Sequence, residues 1–278
     1  MMCEGAERMK SLKAYLSFFQ MRLINTFQYR AAAWGGVFTQ FFWGFMEIQL
    51  YRMFYAEHAA SFPMEFGDLV SYIWLRQAFL SMLSTWVFEK ELFDVILNGN
   101  VAYEMCRPVS IYGMWFSRTV AVRLSRATMR CWPILLVAAL LPDPWGMNLP
   151  ASPTAFAAFL LSMVLGLFLA SALVLIVYFT CFFTVSSEGI RAVLTPLSDF
   201  MSGGIIPLPF MPAWLLPFVQ YAPFSSILNA PLRIYSGDIS GAVLTETLLL
   251  QIFWLIVLIV IGWLMQKKGL KKICVQGG

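Results

Sequence analysis

The sequence predicts an all-α integral membrane protein. It has six transmembrane helices, an N-terminal interfacial elbow helix and a re-entrant helical hairpin between the fifth and sixth spans. Three observations carry this reading. Of 278 residues, 60% are hydrophobic and only 12% are charged, where a soluble domain has roughly 25% charged residues. Apolar stretches of about 20 residues, enough to cross a bilayer as a helix, recur along the whole chain. Lys and Arg gather in alternate connections, as the positive-inside rule asks of a protein that crosses repeatedly.

The elements follow in order. From Lys10 to Phe27 (the elbow, about residues 10–28), Leu12, Leu16, Phe19, Leu23 and Phe27 recur on one face and Lys10, Lys13 and Arg22 interrupt them. Such a helix lies in the headgroup plane, or else begins the first span. The first span is read at Ala31–Tyr51 and the second at Asp68–Val87. A third ends near Leu141, a fourth covers Thr154–Thr180, a fifth begins near Val193, and a sixth covers Val243–Met265. Arg8, Lys10, Lys13, Arg22 and Arg30 precede the first span, and Lys267, Lys268, Lys271 and Lys272 follow the last. The connections 56–67 and 142–153 contain neither Lys nor Arg. Both termini are therefore expected in the cytoplasm, which requires an even number of spans. The third span is overlong: Ile111–Leu141 would make a helix of about 46 Å. Of its arginines, Arg118 and Arg123, with Arg126 as the marginal case, are expected to snorkel to the cytoplasmic surface. Arg130 is too deep to do so easily.

Between the fifth and sixth spans stands SGGIIPLPFMPAWLLPFVQYAPF, residues 202–224, with five of the chain's 14 prolines. A proline inside a helix removes a donor and clashes with the preceding turn, so this cannot be one plain span. Broken backbone at membrane depth survives only where protein or a watery cavity satisfies it. A dip into the membrane is the preferred reading; an ordinary external loop is the plainer one.

Several function classes are excluded or disfavoured. Cys3, Cys106, Cys131, Cys181 and Cys274 lack metal-ligand spacing, and His58 is the only histidine, so no metal site is expected. No phosphate loop, GxSxG or HExxH occurs, and too few titratable groups converge for a membrane enzyme. The net charge of +4 is too small and scattered to suggest nucleic acid. Residues 1–28 lack the short apolar core of a cleavable signal, so the first span is expected to direct its own insertion.

The segment FEKELFDVILNGNVAYEMCRPV, residues 88–109, is the best functional candidate. Leu92, Phe93, Ile96 and Leu97 form a short apolar stripe among Glu89, Lys90, Glu91 and Asp94, and Gly99 fits the left-handed position after a helix. A short helix held between two spans can transmit force from a docked protein; a solvated connector is the equal alternative. Within it, GNVAYEMCRPV, residues 99–109, resembles the Gly-x-x-x-Tyr-x-x-x-Arg-Pro pattern after the second span of type-2 ABC transporter permeases. The run 202–224 and APLRIYSGD, residues 230–238, resemble the same family's sequence from the fifth into the sixth span. The resemblance covers essentially the whole chain as one permease domain, residues 1–278.

The resemblance implies the membrane subunit of an exporter whose ATPase is a separate polypeptide. This chain would bind no cofactor and catalyse nothing itself, with ATP and Mg on the partner. Residues 89–104 become the cytoplasmic coupling segment, with Glu89, Glu91, Leu92, Asp94, Ile96, Gly99 and Arg107 as its coupling residues. Gly203, Gly204, Pro207, Pro209, Pro212, Trp214 and Pro217 become the external re-entrant gate. Two ATPases, a second permease (identical or homologous) and membrane lipids are the implied partners, in the cell membrane. Helical rise alone places Glu47 level with Arg76 and Arg130 level with Asp199, so each couple is expected to pair. A wall of Phe, Met, Trp and Leu suits an amphipathic or lipid-linked cargo. The alternatives are an ion-driven secondary transporter, usually marked by matched broken helices in both halves, and a membrane-embedded lipid-modifying enzyme.

Overall fold

The computed structural model describes residues 2–28, 30–58, 62–184 and 186–272. Cys274 and the side chains of Cys3, Arg8, Lys10, Leu12, Arg30 and His58 lie outside the described residues. Among the described residues there are twelve α-helices, one 3-10 turn and no strand.

The centre of the fold is helix α8, Pro153–Thr180, once α1 (Met2–Phe27), α2 (Arg30–His58), α3 (Phe66–Ala78), α4 (Leu80–Leu83), α5 (Lys90–Leu97), α6 (Val101–Met105) and α7 (Ile111–Leu140) are counted before it. Its start is set locally: Pro153 occupies the first turn, and the Ser152 hydroxyl accepts the Ala155 N–H at 3.0 Å, a cap of the preferred kind. Its most apolar 18-residue stretch has a mean hydropathy of 2.8 and is largely buried, and the helix is packed by α7, by α11 (Asn229–Ser236) and by α12 (Gly241–Leu270). The most apolar 18 residues of α12 have a mean hydropathy of 2.7 but are little buried. An apolar helix that is not covered by protein belongs against lipid. By length and composition α8 and α12 are both able to cross a membrane.

The two ends of the fold differ in charge. At one end Phe62 stacks on Tyr55 and meets Phe210, while Tyr235 donates to the Asn148 carbonyl at 2.9 Å. Trp74 donates to the Trp145 carbonyl at 2.8 Å in the same layer. The Lys- and Arg-free connections 56–67 and 142–153 thus come together at this end. At the other end α5, the start of α7 and the end of α8 meet, with Lys272 over Phe183.

Several expectations are corrected. The second span does not continue helically to Val87: α3 breaks at Phe79, α4 is a single turn ending at Leu83, and the chain turns out of helix to reach Glu89. The carbonyls freed there are taken up by Arg123. It is 1% exposed and does not snorkel; it donates to the carbonyls of Met82 at 2.9 Å, Ser84 at 2.7 Å and Val87 at 3.4 Å. Arg118 is also buried rather than surfaced. In α1 the expected apolar stripe holds in part, with Phe19, Leu23 and Phe27 half-buried. Leu16 faces out, while Tyr15, Phe18 and Phe19 pack inward. The helix runs alongside the first half of α7, where Tyr15 accepts from the Ser110 N–H and Ser125 donates to the Leu23 carbonyl.

The fifth helix, α9, begins at Glu188 rather than Val193 and ends at Met201. It stops where Gly203 takes φ +83°, a backbone that side-chain-bearing residues avoid. Its 14 residues span about 21 Å, short of a hydrocarbon core. The expected hairpin over 202–224 is only in part helical: the 3-10 turn Leu208–Phe210, then α10 (Leu216–Gln220). Beyond 202–224 the chain enters the bundle at Ser226 and Ile227, and α11 follows against α8. A Cβ on Gly166 would lie 2.6 Å from the Ile227 carbonyl. Gly166 is about 20 Å along α8 from its start. Gln251 of α12, fully buried, donates to the carbonyls of Ser226 at 2.7 Å and Ser162 at 3.3 Å and accepts from the Ser162 hydroxyl. Broken backbone inside a helical bundle needs partners of this kind.

Candidate functional site

Helix α5 forms because Leu92, Phe93 and Ile96 recur on one face and Gly99, at φ +71°, ends it. These three side chains are 0%, 5% and 8% exposed, so each contributes about 1.5–3 kcal/mol of burial. They close against Trp115 of α7 and Tyr178 of α8. The expected coupling residues therefore divide by face. Leu92 and Ile96 are anchors turned into the protein, and cannot meet a partner while α5 is seated. Glu91 and Asp94 face outward, as does Leu97, which is 46% exposed. Arg107 is exposed beyond α6 and reaches the Met114 sulfur at 3.5 Å.

The seating of α5 is mainly electrostatic at its start. Buried Arg118 binds Glu89 through Nε at 2.8 Å and Glu91 through its terminal nitrogen. Arg22 of α1 adds a weaker 3.4 Å contact to Glu91. Arg118's hydrogen bond, then its charge, holds the Glu91 carboxyl below its ordinary value of 4.5. The Glu89 N–H donates to the Tyr178 hydroxyl at 2.6 Å, and Arg191 of α9 lies over the Phe88 and Phe93 rings. Four helices thus grip one short one. Glu104 of α6 accepts from the Trp115 indole at 2.5 Å, which leaves Tyr103 and Met105 outward, 76% and 51% exposed. With Leu97 they make an apolar patch at the basic end. The sequence reading missed Tyr103 and Met105 as contact candidates; Tyr103 lies inside the segment 89–104 and Met105 is the residue after it.

At the opposite end Glu47 and Arg76 meet, joining α2 to α3. Arg76 also donates to the Gly204 carbonyl at 2.5 Å, and Tyr72 donates to the Gly203 carbonyl at 3.2 Å. Both glycines of the expected gate are thereby fastened to α3. Pro207 is buried and Pro209 half-buried, while Pro212, Trp214 and Pro217 face outward. The second expected couple does not form: no ion pair joins Arg130 to Asp199 among the described residues. Arg130 lies against Gly36 of α2. Asp199 lies in a small cavity with Ser84, Thr85 and Ser202. Equal depth along two helices does not make them neighbours, and α9 packs beside α8 instead.

No cluster of His, Cys, Asp or Glu among the described residues could hold a metal ion. In comparison with known proteins, residues 67–277 match the model of a family described as "ABC-2 family transporter protein". No curated protein matches the chain.

Proposed function

The chain belongs to the ABC-2 transporter family, and from that membership we propose that it is the permease of an ATP-driven exporter, worked by a separate ATPase through α5 and α6. The family makes it a membrane-embedded transporter subunit. Beyond that, the reading has six passes, with both termini and α5 on the cytoplasmic side of the cell membrane. Two ATPases, which hold ATP and Mg, and a second permease, identical or homologous, complete the working unit. The segment that ends in α11 closes the outer exit.

The observation that carries this reading is the division of α5 into a gripped face and an offered one. A connector with no partner has no need of four helices fixing one face while Leu97, Tyr103 and Met105 stay uncovered beside Glu91 and Asp94. Large apolar side chains exposed at a basic cytoplasmic end are not lipid-facing, and such patches mark protein contacts. ATP-driven closure of the partner pair moves α5, and the permease pair changes conformation with it. Transport follows if the two states differ in affinity for cargo. An amphipathic or lipid-linked cargo suits the apolar walls.

The test is a mild-detergent pull-down of the tagged chain from its native membrane, with mass spectrometry and an ATPase assay. A co-purifying ATPase that is lost on Leu97→Asp or Tyr103→Ala, with the permease still folded, is the expected result. If no ATPase is retained under conditions that preserve a known ABC complex, the reading is wrong and the ion-driven alternative takes its place.

A further inference from the structure

Between α1, the start of α2, the α5 segment and α7 lies a cleft of about 690 Å³. Four cations line it: Arg22, Lys90, Arg126 and Arg130. Glu89 and Glu91 line it as well, but Arg118 holds both and Arg22 reaches Glu91. Lys90, Arg126 and Arg130 have no carboxylate at ion-pair distance among the described residues.

Arg126 and Arg130 stand one turn apart on α7, where like charges repel. Arg130 is half-buried, and its Nε is out of water with no hydrogen-bond partner. Two like charges left without a carboxylate are costly, and one anion between the two guanidinium groups relieves their repulsion; Arg130 Nε itself is covered by α2 at Gly36. The remaining lining is mixed: Asn25, Thr26 and Gln28 are polar, while Ala33, Phe88, Val122 and Met129 give an apolar wall. The depth is also that of a headgroup. Gly36, against Arg130, is about 28 Å along α2 from Tyr55 in the aromatic layer at the far end, close to the thickness of a hydrocarbon core.

We propose that this cleft binds an anionic phospholipid of the cytoplasmic leaflet, its phosphate held by Arg126 and Arg130 and its acyl chains against Phe88 and Met129. The proposal rests on the reading of the chain as a permease with α5 cytoplasmic. Because Glu89 and Lys90 share the cleft, the headgroup lies beside the seat of α5.

The test uses the purified full chain, with whatever co-purifies, titrated in detergent with phosphatidylglycerol or phosphatidylcholine and read by native mass spectrometry. Phosphatidylglycerol is expected to bind about tenfold or more tighter. Arg126→Gln with Arg130→Gln should abolish that preference. Asn25→Glu, which puts a carboxylate at the exposed rim without touching the arginines, should abolish it too and guards against misfolding of the double variant. Lys267→Gln with Lys268→Gln, in the last turn of α12, should leave it intact. A preference that survives both cleft changes, or that falls equally with the α12 lysines, overturns the proposal. Competition by glycerol 3-phosphate or inorganic phosphate at the same concentration as the lipid would keep a phosphate site and remove the lipid. Loss of the preference in the cleft variants from preparations with no ATPase would leave the cleft standing and count against the exporter.

Discussion

Replacing Arg118 by Met removes the group that fastens the start of α5. Its side chain is 4% exposed and that of Glu89 is 14% exposed, whereas that of Glu91 is 70% exposed. Glu91 would regain water, so its share is that of a surface pair, about 0–1 kcal/mol. Glu89 would not: its Oε1 already lacks a partner, and R118M strands the whole carboxylate. Losing a hydrogen bond to a charged group costs about 1.5–3 kcal/mol, and leaving one member of a buried pair costs more. Together the loss is about 2–4 kcal/mol, or roughly 30- to 900-fold in the opening equilibrium of α5. Hydrogen exchange of the amides of residues 92–97, measured on the purified complex, reads that ratio directly. R118M should lower their protection by this factor, and E91Q by less than about fivefold. The double variant E89M/R118M should recover most of the loss, because an apolar pair of similar size can replace a buried ion pair without a stranded charge. If R118M does no more than E91Q, or if the double variant is no better than R118M, then a stranded Glu89 is not what seats α5.

Three further outcomes follow from the geometry. Gly203→Ala meets a φ of +83° and places its Cβ 2.7 Å from the Tyr72 hydroxyl, so it should cost at least about 1–2 kcal/mol in a melting or denaturation assay. Gly189→Ala, with open space around it, should be neutral or stabilising. R76Q should destabilise more than E47Q, because Arg76 also holds the Gly204 carbonyl; E47Q/R76Q should then cost less than the two singles summed, by about 0.5–3 kcal/mol, and strict additivity would rule out a working pair. For pH, the folded-state pKa of Glu91 lies below its ordinary value. Its contribution is therefore complete above about pH 4.5 and is lost as pH falls through the lower folded value. Protection of α5 should be flat from neutral pH down to that range and then fall, and E91Q should remove this step.

What the sequence disclosed was whatever depends on local pattern. The apolar stripe of α5, the left-handed Gly99 and the aromatic end whose connections lack Lys and Arg are written in spacings of a few residues. The failures came where a distant side chain overrode a local preference. Nothing near Val87 says that the helix ends at Leu83; the carbonyls freed there are taken up by Arg123, on another helix. The prolines mark where the backbone is broken, yet the place where it enters the bundle is received by Gly166 and Gln251, small and polar positions inside otherwise plain apolar runs. The Arg130–Asp199 couple failed because depth along an axis is one coordinate and contact needs three. Likewise the stripe of α1 was counted from apolar residues alone, while Tyr15 and Arg22 face inward for their hydroxyl and guanidinium groups.

Arg123's hold on Met82, Ser84 and Val87 has a mechanical consequence. A flexible strap between the second span and α5 would absorb a push and waste it as slack. Here the strap is bolted to α7 at Arg123, and α5 itself is bolted to the same shaft at Arg118, about 7.5 Å away along its axis. In the proposed exporter a load on α5 would enter α7 first, and α7, interrupted only by Pro133, leads at its far end to the loop whose Trp145 and Asn148 touch α3 and α11. On that reading the stroke would travel along one helix, and its stiffness at Pro133, rather than strength in α3 and α4, would set how much of it arrives.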